Sequence, residues 1–308
     1  MMNNIPICFM LIGLPASGKS FYADIMSKKY NANIHSSDSI REELLGDINC
    51  QENNDIIFKE LHNRIKKDLN NNISVIFDAC NISYKKRINF LKEIKNIACE
   101  KTAIIIATPY KKCLEQNSLR ERKIPEYVIE KMYKNIYIAQ FYEGWDKICV
   151  IMNKNDIEND YSELFIRLQD ISQDNPHHEL TIGWHCMLCA SQMMKHQDMI
   201  LYYASLFHDC GKEFTKAFKN SKGEPTDTAH FYQHHLVSAY NSLFYLANRK
   251  NCLEIIKYIT WHMQPFFIKT EKAKNKFINL VGQEFYDKLL LLHQADTKAK
   301  SWECLNVN

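Results

Sequence analysis

The sequence predicts an α/β domain built on a parallel sheet, followed by an all-α domain. Up to about residue 155, short apolar segments alternate with amphipathic ones, which is the pattern of a parallel sheet with helices on both faces. Beyond Asn155 the strand pattern stops and helical segments follow. We therefore expect an α/β domain over 1–155, a connecting helix and loop over 156–175, and an all-α domain over 176–308.

The elements of the first domain follow one another as strand and helix. Buried parallel strands are short apolar runs, whereas amphipathic helices repeat their apolar residues every three or four positions. A polar stretch ending at Pro176 predicts the loop before the second domain, and Ser162 to Ile171 predicts the connecting helix. The predicted strands are Ile7 to Ile12, Asn33 to His35, Ser74 to Phe77, Ala103 to Ala107 and Ile148 to Met152, and the predicted helices are Ser20 to Lys29, Ile40 to Leu45, Ile56 to Leu69, Tyr84 to Ile97 and Lys111 to Ser118.

Composition limits the class of protein. With 308 residues, of which 46% are hydrophobic, the chain can bury two ordinary cores. No apolar run approaches the roughly 18 residues that span a bilayer, so we expect a cytoplasmic protein without a membrane partner. A net charge of +3 permits a nucleic acid partner without requiring one. The 11 cysteines are expected to be reduced core thiols, including Cys186 and Cys189, which lack the second pair of a zinc site.

A phosphate-binding loop is predicted between the first strand and the first helix. The motif Gly-x4-Gly-Lys-Ser runs from Gly13 to Ser20, and in this setting the N–H groups of the loop and of the helix N-terminus face nucleotide phosphates. Lys19 neutralises the outer phosphates, and Ser20 can hold Mg²⁺. The alternative is a glycine-rich turn without a ligand. The expected cofactors are ATP or another NTP with Mg²⁺, and the expected contacts are Gly13, Pro15, Ser17, Gly18, Lys19 and Ser20.

Polar residues that can serve an acceptor follow the second and third strands. Asp38 lies where ligands bind in open α/β folds, and a carboxylate there can accept a proton from an attacking hydroxyl. Arg41, one helical turn later, can hold a phosphate of the acceptor. The alternative for Asp38 is an N-cap of the helix that begins at Ser39. Asp78, three residues before Asn81, is either an acceptor-site or metal-shell group or a cap for the next turn.

A cationic segment precedes the next predicted helix. Arg120, Arg122 and Lys123 place three cations within four positions, ahead of Pro125. This composition is typical of a lid that closes over a transferring phosphoryl group. A solvated basic loop is the alternative.

Four motifs in this order, over roughly residues 5 to 150, resemble the kinase domain of phage-type polynucleotide kinases. They are the P-loop, Asp38-x-x-Arg41, Asp78-x-x-Asn81 and Asn117-x-x-Arg120 followed by Pro125. The resemblance implies phosphorylation of 5′-hydroxyl ends. It also implies that Asp38 is the general base, that Arg41 binds the acceptor phosphate and that Arg120 contacts the donor phosphates. Asp78 and Asn81 are expected on the substrate side.

Histidines and aspartates in the second half predict a metal site. His208-Asp209 follows an apolar helix, and an adjacent imidazole and carboxylate can hold metal ions, with the carboxylate able to bridge two of them. A single histidine is more often a surface or core residue than a ligand, so the ordered set carries the prediction. We expect His208 and Asp209 to be shared between two ions, one completed by His185 and Asp296 and the other by His234 and His262.

The segments around these residues, from about 172 to 300, resemble the HD phosphohydrolase domain, in the variant appended to bacterial tRNA nucleotidyltransferases. The resemblance implies two divalent transition metals (Mn, Co, Ni, Fe or Zn) and hydrolysis of 2′,3′-cyclic phosphates or of 2′- or 3′-monophosphates. Gln233 and His235 stand where Gly and Glu usually flank the motif's histidine, so His235 is an alternative ligand to His234. Lys212 is expected to face the phosphate, with a solvent-exposed lysine as the alternative. His178, and beside it His177, are secondary candidates near the site.

Together the two resemblances imply a bifunctional enzyme that heals nucleic acid ends. The expected partners are RNA or DNA ends, cleaved tRNA among them, and a separate ligase that acts afterwards; a homo-oligomer is compatible with the sequence. Two alternatives stay open. One is a nucleoside or nucleotide kinase fused to a nucleotidase in salvage, and the other is a nucleotide-sensing regulatory module with inert sites.

Overall fold

A computed structural model describes residues 5–50, 53–153, 160–176 and 178–305. These residues divide into two compact units. The first takes in the described residues up to 132 together with 139–153, and the second takes in 133–138 and those from 160 onward. The predicted boundary region includes 154–159, which lie outside the described residues. The predicted domain limits therefore stay a prediction.

The first unit is built on a parallel sheet, as predicted. Its described residues form five strands in the order β2-β3-β1-β4-β5, and every neighbouring pair is parallel. The strands are β1 (Ile7–Ile12), β2 (Asn33–Ser36), β3 (Val75–Asp78), β4 (Glu100–Ala107) and β5 (Lys147–Met152). The helices are α1 (Lys19–Tyr30), α2 (Ser37–Leu45), α3 (Asn54–Asn70), α4 (Tyr84–Glu93), α5 (Tyr110–Ser118) and α6 (Glu126–Tyr133), with a short 3₁₀ helix at Phe141–Glu143.

Helices cover both faces of this sheet. The face that carries Phe9 of β1 packs against α1 at Ala23. On the opposite face, Phe77 of β3 packs against Phe58 of α3 and Phe90 of α4. Because both faces are covered, β1 and β3 are almost wholly buried, which explains their continuous apolar sequences.

The parallel arrangement brings the polar motifs to one edge of the sheet. The P-loop follows β1, Asp38 lies in the first turn of α2 directly after β2, and Asp78 ends β3. Ser36 of β2 pairs in register with Asp78. Because the carboxyl ends of parallel strands lie at the same edge, residues distant in sequence become neighbours there.

A buried ion pair secures the loop that follows β3. The side chains of Arg87 and Glu143 are 1% and 0% exposed, and two N–H···O contacts of 2.7 Å join them. Glu143 also accepts from the indole of Trp145 at 3.0 Å. Arg87 donates to the carbonyl oxygen of Asn81 at 2.8 Å. The pair therefore ties α4 to the loop that carries Asn81.

Replacing Glu143 with glutamine should destabilise the protein by about 3–5 kcal/mol, because the buried guanidinium of Arg87 loses its anion. Chemical denaturation of the full chain, followed by circular dichroism, measures this. Glu100→Gln is the matched control, since Glu100 pairs with Lys147, whose side chain is 62% exposed, and such a pair contributes only about 0–1 kcal/mol. Equal effects of the two substitutions would contradict the role given to the buried pair.

The second unit is mainly helical but contains an antiparallel hairpin, so the expectation of an all-α domain without strands beyond Asn155 is wrong. The hairpin joins β6 (Ala217–Lys219) to β7 (Pro225–His230). Its strands are short and largely exposed, so main-chain pairing forms them without an apolar signal in the sequence. The helices are α7 (Ser162–Gln169), α8 (Ile182–Met194), α9 (Met199–Phe207), α10 (Lys212–Thr215), α11 (His234–Leu246), α12 (Cys252–Trp261), α13 (Gln264–Phe267), α14 (Glu271–Val281) and α15 (Gln283–Lys298), with a 3₁₀ helix at Trp302–Leu305.

Several helices of this unit pack around α9. α8 packs against α9 and α15, and α12 packs against α9 and α11. Across the part of the chain that the structure describes, no helix is both long and apolar enough to cross a membrane.

Candidate active sites

Main-chain geometry holds the P-loop in shape. Gly18 has a φ of 93°, a left-handed conformation that favours glycine. A Cβ on Gly13 would lie 2.7 Å from the hydroxyl oxygen of Ser17 and 2.9 Å from a main-chain oxygen of β4. The carbonyl oxygen of Ser17 accepts from Thr108 Oγ1 at 2.8 Å and from Asn153 Nδ2 at 3.2 Å. Thr108 and Asn153 were not predicted from the sequence, because no motif marks them.

Lys19 and Ser20 begin α1 beside this loop. The ammonium of Lys19 donates to the carbonyl oxygen of Leu14 at 2.7 Å, and the hydroxyl of Ser20 donates to Asp78 Oδ2 at 2.8 Å. Burial raises the pKa of Asp78, and Ser20 and Lys19 partly offset that rise. Asp78 therefore faces the P-loop instead of capping the next turn. Pro15 lies buried within the loop. The hydroxyl and carboxylate pair offers oxygen donors, which Mg²⁺ prefers.

Asp38 does not cap α2, and the N-cap alternative is wrong. Ser36, in extended conformation at the end of β2, accepts from the N–H groups of Asp38 and Ser39, so the helix begins at Ser37, two residues earlier than that alternative requires. The carboxylate of Asp38 is 45% exposed, and its Oδ1 accepts from Arg41 Nη1 at 2.8 Å. Arg41 is buried and also donates to Asn54 Oδ1 at 2.9 Å. The structure thus joins the candidate base to the candidate acceptor-binding arginine.

The lid segment between α5 and α6 presents two arginines differently. Asn117 joins the two ends of this segment, because its side chain donates to the carbonyl oxygen of Ile124 and accepts from the N–H of Ile124. Arg120 is exposed, and among the described residues its side chain has no polar partner. Arg122 instead donates to Asp38 Oδ2 at 2.9 Å. Arg122 had no predicted role of its own, although its place in the cationic run was a signal.

Asn81 has an anchoring role in the structure. Its side-chain amide donates to the carbonyl oxygen of Leu11 at 2.9 Å, and its φ of 47° is left-handed. These features hold the ends of β1 and β3 together. Contact between Asn81 and a substrate stays a prediction.

Histidine and aspartate side chains converge in the second unit. His185 lies in α8, His208 directly follows α9, and Asp296 lies in α15. Nε2 of His185 is 3.1 Å from Asp296 Oδ1 and 3.3 Å from Asp209 Oδ2. Nε2 of His208 is 3.3 Å from the same oxygen of Asp209. These four side chains are buried and can hold one metal ion.

A second group lies on the other oxygen of Asp209. Nε2 of His234, the first residue of α11, is 3.1 Å from Asp209 Oδ1, and Nε2 of His262, just after α12, is 3.6 Å from it. Within the described residues, Asp209 alone belongs to both groups. The expectation that His208 is shared as well is wrong, because its single inward nitrogen lies on the Oδ2 side.

The four histidines of these groups have the same hydrogen-bonding pattern. Each Nδ1 lies 2.6–2.8 Å from a main-chain carbonyl oxygen, those of Ala299, Ser205, Phe231 and Ile259 for His185, His208, His234 and His262 in turn. A carbonyl only accepts, so each Nδ1 carries a proton, and Nε2 is the ring nitrogen that is left to bind a metal ion.

The Nε2 atoms approach one another in pairs. Nε2 of His185 lies 3.2 Å from Nε2 of His208, and Nε2 of His234 lies 3.1 Å from Nε2 of His262. Two imidazole nitrogens at this separation need a cation between them, which can be a proton or a metal ion. Imidazole and carboxylate donors suit Mn, Fe, Co, Ni or Zn, and the main-chain carbonyls fix the ring orientation. The donor set therefore fits a pair of divalent transition metals.

Lys212 and Gln173 complete the surroundings of Asp209. Lys212 is buried, which excludes the solvent-exposed alternative, and its ammonium lies 2.6 Å from Asp209 Oδ2. It also donates to Gln173 Oε1 at 2.8 Å. Burial alone would raise the pKa of Asp209, but His208 and Lys212 hold that pKa well below its ordinary value. No sequence motif marked Gln173, which lies in the predicted linker.

Other candidates lie around the two groups. His234, and not its neighbour His235, belongs to the second group. The ring of His178 lies 5.3 Å from that of His185, and burial lowers the pKa of His178 to about 3, whereas His177 lies outside the described residues. Cys189 of α8 is a buried free thiol, and burial raises its pKa to about 12.

Backbone packing at Gly211 brings α11 to the site. A Cβ on Gly211 would collide with main-chain atoms of His234 and Ser238. The N–H of Gly211 donates to the hydroxyl of Ser238 at 2.8 Å. Gln233, just before α11, has a left-handed φ of 64°, at the position where the resemblance places glycine.

Gln233→Gly should therefore stabilise the protein by about 0.5–1 kcal/mol. Glycine removes a strain of about 1–2 kcal/mol that a side chain causes in the left-handed conformation. It also costs about 0.5–1 kcal/mol, because the unfolded chain gains conformational entropy. Chemical denaturation of the full chain measures the change. Gln233→Ala is the control, because it keeps the Cβ and should bring no gain; a gain from alanine equal to that from glycine would contradict the strain.

Comparison with known proteins bears on part of the chain. Residues 9–137 match a protein family described as an AAA domain. Over 171 residues the chain is 28% identical to an L-seryl-tRNA(Sec) kinase from Methanococcus maripaludis, covering 54% of this chain and 66% of that kinase, just under two thirds of its length. The N-terminal part of the chain is a P-loop kinase-type domain. ATP and Mg²⁺ are the cofactors that this class implies.

Two solved structures are also similar to part of the chain. A gluconokinase from Sinorhizobium meliloti 1021 is 11% identical with a TM-score of 0.37, covering 50% of this chain and 86% of that one. A structure of a Pnkp1/Rnl/Hen1 complex is 19% identical with a TM-score of 0.32, covering 50% of this chain and 48% of that one. Both TM-scores are low, so neither likeness bears on function.

Proposed function

We propose that this protein heals nucleic acid ends with two activities, an ATP-dependent 5′-hydroxyl polynucleotide kinase and a metal-dependent phosphoesterase of the HD type. The observation that carries the proposal is the pair of His/Asp groups that share Asp209, in a chain whose other unit has a P-loop kinase-type domain. A single chain with both sites can add phosphate to one end of a substrate and remove it from the other.

At the kinase site, the residues divide the work of phosphoryl transfer. The P-loop and Lys19 bind the donor phosphates, and Ser20 and Asp78 would hold the Mg²⁺ that offsets their charge. Asp38 takes the proton of the acceptor hydroxyl. At the same time, the hydroxyl oxygen forms a bond to the γ-phosphorus, and the bond from that phosphorus to the leaving nucleoside diphosphate breaks. Arg120, exposed on the lid, is available to the donor phosphates.

At the phosphoesterase site, the described side chains prepare a bimetal centre. His185, His208 and Asp296 would hold one ion, His234 and His262 the other, and Asp209 would join them. Two such ions supply Lewis acidity and lower the pKa of a water molecule. Lys212, held by Gln173, keeps a positive charge beside Asp209 for the substrate phosphate, and His178 lies next to His185.

RNA is the substrate that needs both activities. Cleavage of RNA without metal ions leaves a 5′-hydroxyl on one fragment and a 2′,3′-cyclic phosphate on the other. Ligation by a separate enzyme needs a 5′-phosphate and a free 3′-hydroxyl, which the two sites would supply. Cleaved tRNA is one substrate of this kind.

The test is incubation with a short RNA that has a 5′-hydroxyl and a 2′,3′-cyclic phosphate, with ATP, Mg²⁺ and Mn²⁺, and mass spectrometry of the product. We expect a gain of phosphate at the 5′ end and loss of the cyclic phosphate at the other. Phosphorylation of free nucleosides in strong preference to the RNA would instead support a salvage kinase fused to a nucleotidase. If the RNA is changed at neither end, the result would support the alternative of a nucleotide-sensing regulatory module with inert sites.

A second kinase function is favoured by the match to an L-seryl-tRNA(Sec) kinase. In that case the acceptor is the serine hydroxyl of an aminoacyl-tRNA, and Asp38 would take the proton of that hydroxyl. Incubation of seryl-tRNA with ATP, followed by deacylation and detection of O-phosphoserine, distinguishes the two acceptors.

Arg120→Ala should slow phosphoryl transfer by a factor of about 10³, because a cation directed at transition-state charge contributes on that scale. Single-turnover kinetics with a 5′-hydroxyl oligonucleotide measures the step. Glu121→Ala is the matched control, since it alters the adjacent lid residue without removing a cation. A rate for Arg120→Ala close to that of the control would contradict the role of this segment as a lid and support the alternative of a solvated basic loop.

A further inference from the structure

Arg122 connects the lid to the acceptor side of the kinase site. Its Nη1 donates to Asp38 Oδ2 at 2.9 Å, its Nε donates to Asn49 Oδ1 at 2.9 Å, and its Nη2 donates to the carbonyl oxygen of Ile48 at 3.0 Å. All three partners lie more than 70 residues earlier in the chain. Its side chain is 23% exposed, so solvent and a ligand can still reach it.

Both carboxylate oxygens of Asp38 are therefore engaged by guanidinium groups. Oδ1 accepts from Arg41 and Oδ2 from Arg122. A carboxylate oxygen that accepts a charge-assisted hydrogen bond from a guanidinium group is held by that partner and is less available to an acceptor hydroxyl. For Asp38 to take a proton at Oδ2, the bond from Arg122 has to weaken.

The local charge favours an anionic ligand. Within the described residues, Asp38 is the anionic partner of both Arg41 and Arg122, and their other partners are the neutral oxygens of Asn54, Asn49 and Ile48. Two cations thus face one carboxylate. In addition, Nε of Arg41, a residue 4% exposed, is buried without a hydrogen-bond partner among the described residues. A phosphate group supplies the missing charge and the acceptor oxygens, and guanidinium groups bind phosphate well.

We propose that Arg122 determines acceptor specificity by exchanging Asp38 for a phosphate group next to the acceptor hydroxyl. This inference rests on the proposed kinase function. When such a phosphate binds between Arg122 and Arg41, the bond from Arg122 to Asp38 Oδ2 is released. That oxygen then accepts the hydroxyl proton while the hydroxyl oxygen bonds to the γ-phosphorus and the nucleoside diphosphate leaves. An acceptor without a neighbouring phosphate leaves Asp38 bound to both arginines.

This exchange separates the tasks of the two lid arginines. Arg120, without a partner in the described part of the chain, serves the donor, whereas Arg122 serves the acceptor. The expected substrates are hydroxyls one nucleotide unit from a phosphate, as in a nucleoside 3′-monophosphate or an oligonucleotide with a 5′-hydroxyl. Free nucleosides should be poor acceptors even though they carry the same hydroxyl.

The test compares adenosine, adenosine 3′-monophosphate and a 5′-hydroxyl oligonucleotide as acceptors for the wild type and for Arg122→Ala. The measured quantity is the ratio of kcat/KM for each phosphate-bearing acceptor to that for adenosine. In Arg122→Ala this ratio should fall about 10- to 100-fold, the range of a lost charge-assisted hydrogen bond, while KM for ATP stays unchanged. Arg122→Lys should restore part of the ratio, because it keeps the charge but not the planar fork.

Two controls separate this effect from loss of structure. Arg120→Ala should lower the rates with all three acceptors by the same factor and leave the ratio unchanged, and Glu121→Ala should change neither. An unchanged ratio in Arg122→Ala, with the wild type active on the oligonucleotide, would overturn the inference and leave the proposed kinase function standing. A wild type that phosphorylates none of the three acceptors would remove the proposed function, and the inference with it.

Discussion

Asp209→Ala should abolish phosphoesterase activity and release both metal ions, while the kinase remains active. Asp209 is the side chain common to the two His/Asp groups, and each of its oxygens serves one group. Without it, each ion loses a carboxylate and the link to the other ion. Metal analysis of the purified protein by mass spectrometry, together with hydrolysis of a 2′,3′-cyclic nucleotide, measures both effects.

Two further variants make the metal result interpretable. Asp209→Asn keeps the shape of the side chain, so a loss of metal in this variant cannot be assigned to a cavity beside Lys212. Asp227→Ala removes an exposed aspartate from the hairpin of the same unit and should retain both metal and activity. Full metal occupancy in folded Asp209→Ala would show that the ligand assignment, and the hydrolase mechanism built on it, is wrong.

Chelation and metal addition test the kind of ion. Treatment with a chelator should silence the phosphoesterase, and Mn²⁺, Co²⁺ or Ni²⁺ should restore it where Mg²⁺ restores it poorly. The reason is the donor set, in which four imidazoles and two carboxylates favour transition metals over Mg²⁺. Restoration by Mg²⁺ at least equal to that by Mn²⁺ would contradict this assignment.

Lys19→Ala or Asp38→Ala should abolish 5′-phosphorylation and leave the phosphoesterase intact. Lys19 carries the charge that neutralises the donor phosphates, and its loss removes a transition-state contact. Asp38 is the proposed base, and removing a general base costs about 10²–10⁴-fold in rate. Transfer of radiolabelled phosphate to a 5′-hydroxyl oligonucleotide, beside hydrolysis of a cyclic phosphate by the same preparation, measures both activities.

The control for these variants is Lys28→Ala, which removes an exposed lysine from the last turn of α1 and should preserve both activities. Asp38→Ala should still bind ATP, because Asp38 contacts lid and acceptor-side groups and not the P-loop. Loss of both activities in a folded Asp38→Ala protein would contradict the placement of the two sites on separate units.

Much of the fold of the first unit could be predicted because its signals are local. β1 has the predicted bounds, Ile7–Ile12, since a central parallel strand is a continuous apolar run. The prediction for α4 was too long, because the helix ends at Glu93, whereas apolar residues continue to Ile97. Ile94 is fully buried just beyond the helix end, so its burial extends the apolar pattern past the hydrogen-bonded turns. The apolar pattern of a sequence indicates which residues are buried, and here the buried residues continue beyond the end of the helix.

The sequence by itself determined the P-loop, the parallel α/β fold around it and the set of histidines and aspartates from which a metal site can be built. These follow from neighbouring residues, because a glycine pattern between a strand and a helix specifies its own backbone path. Only the tertiary structure decided that Asp209 alone joins the two groups, that Gln173 holds Lys212, and that Arg122 reaches Asp38. Each of these depends on side chains brought together from distant parts of the chain by packing, and the spacing of residues along a sequence does not fix which of their atoms meet.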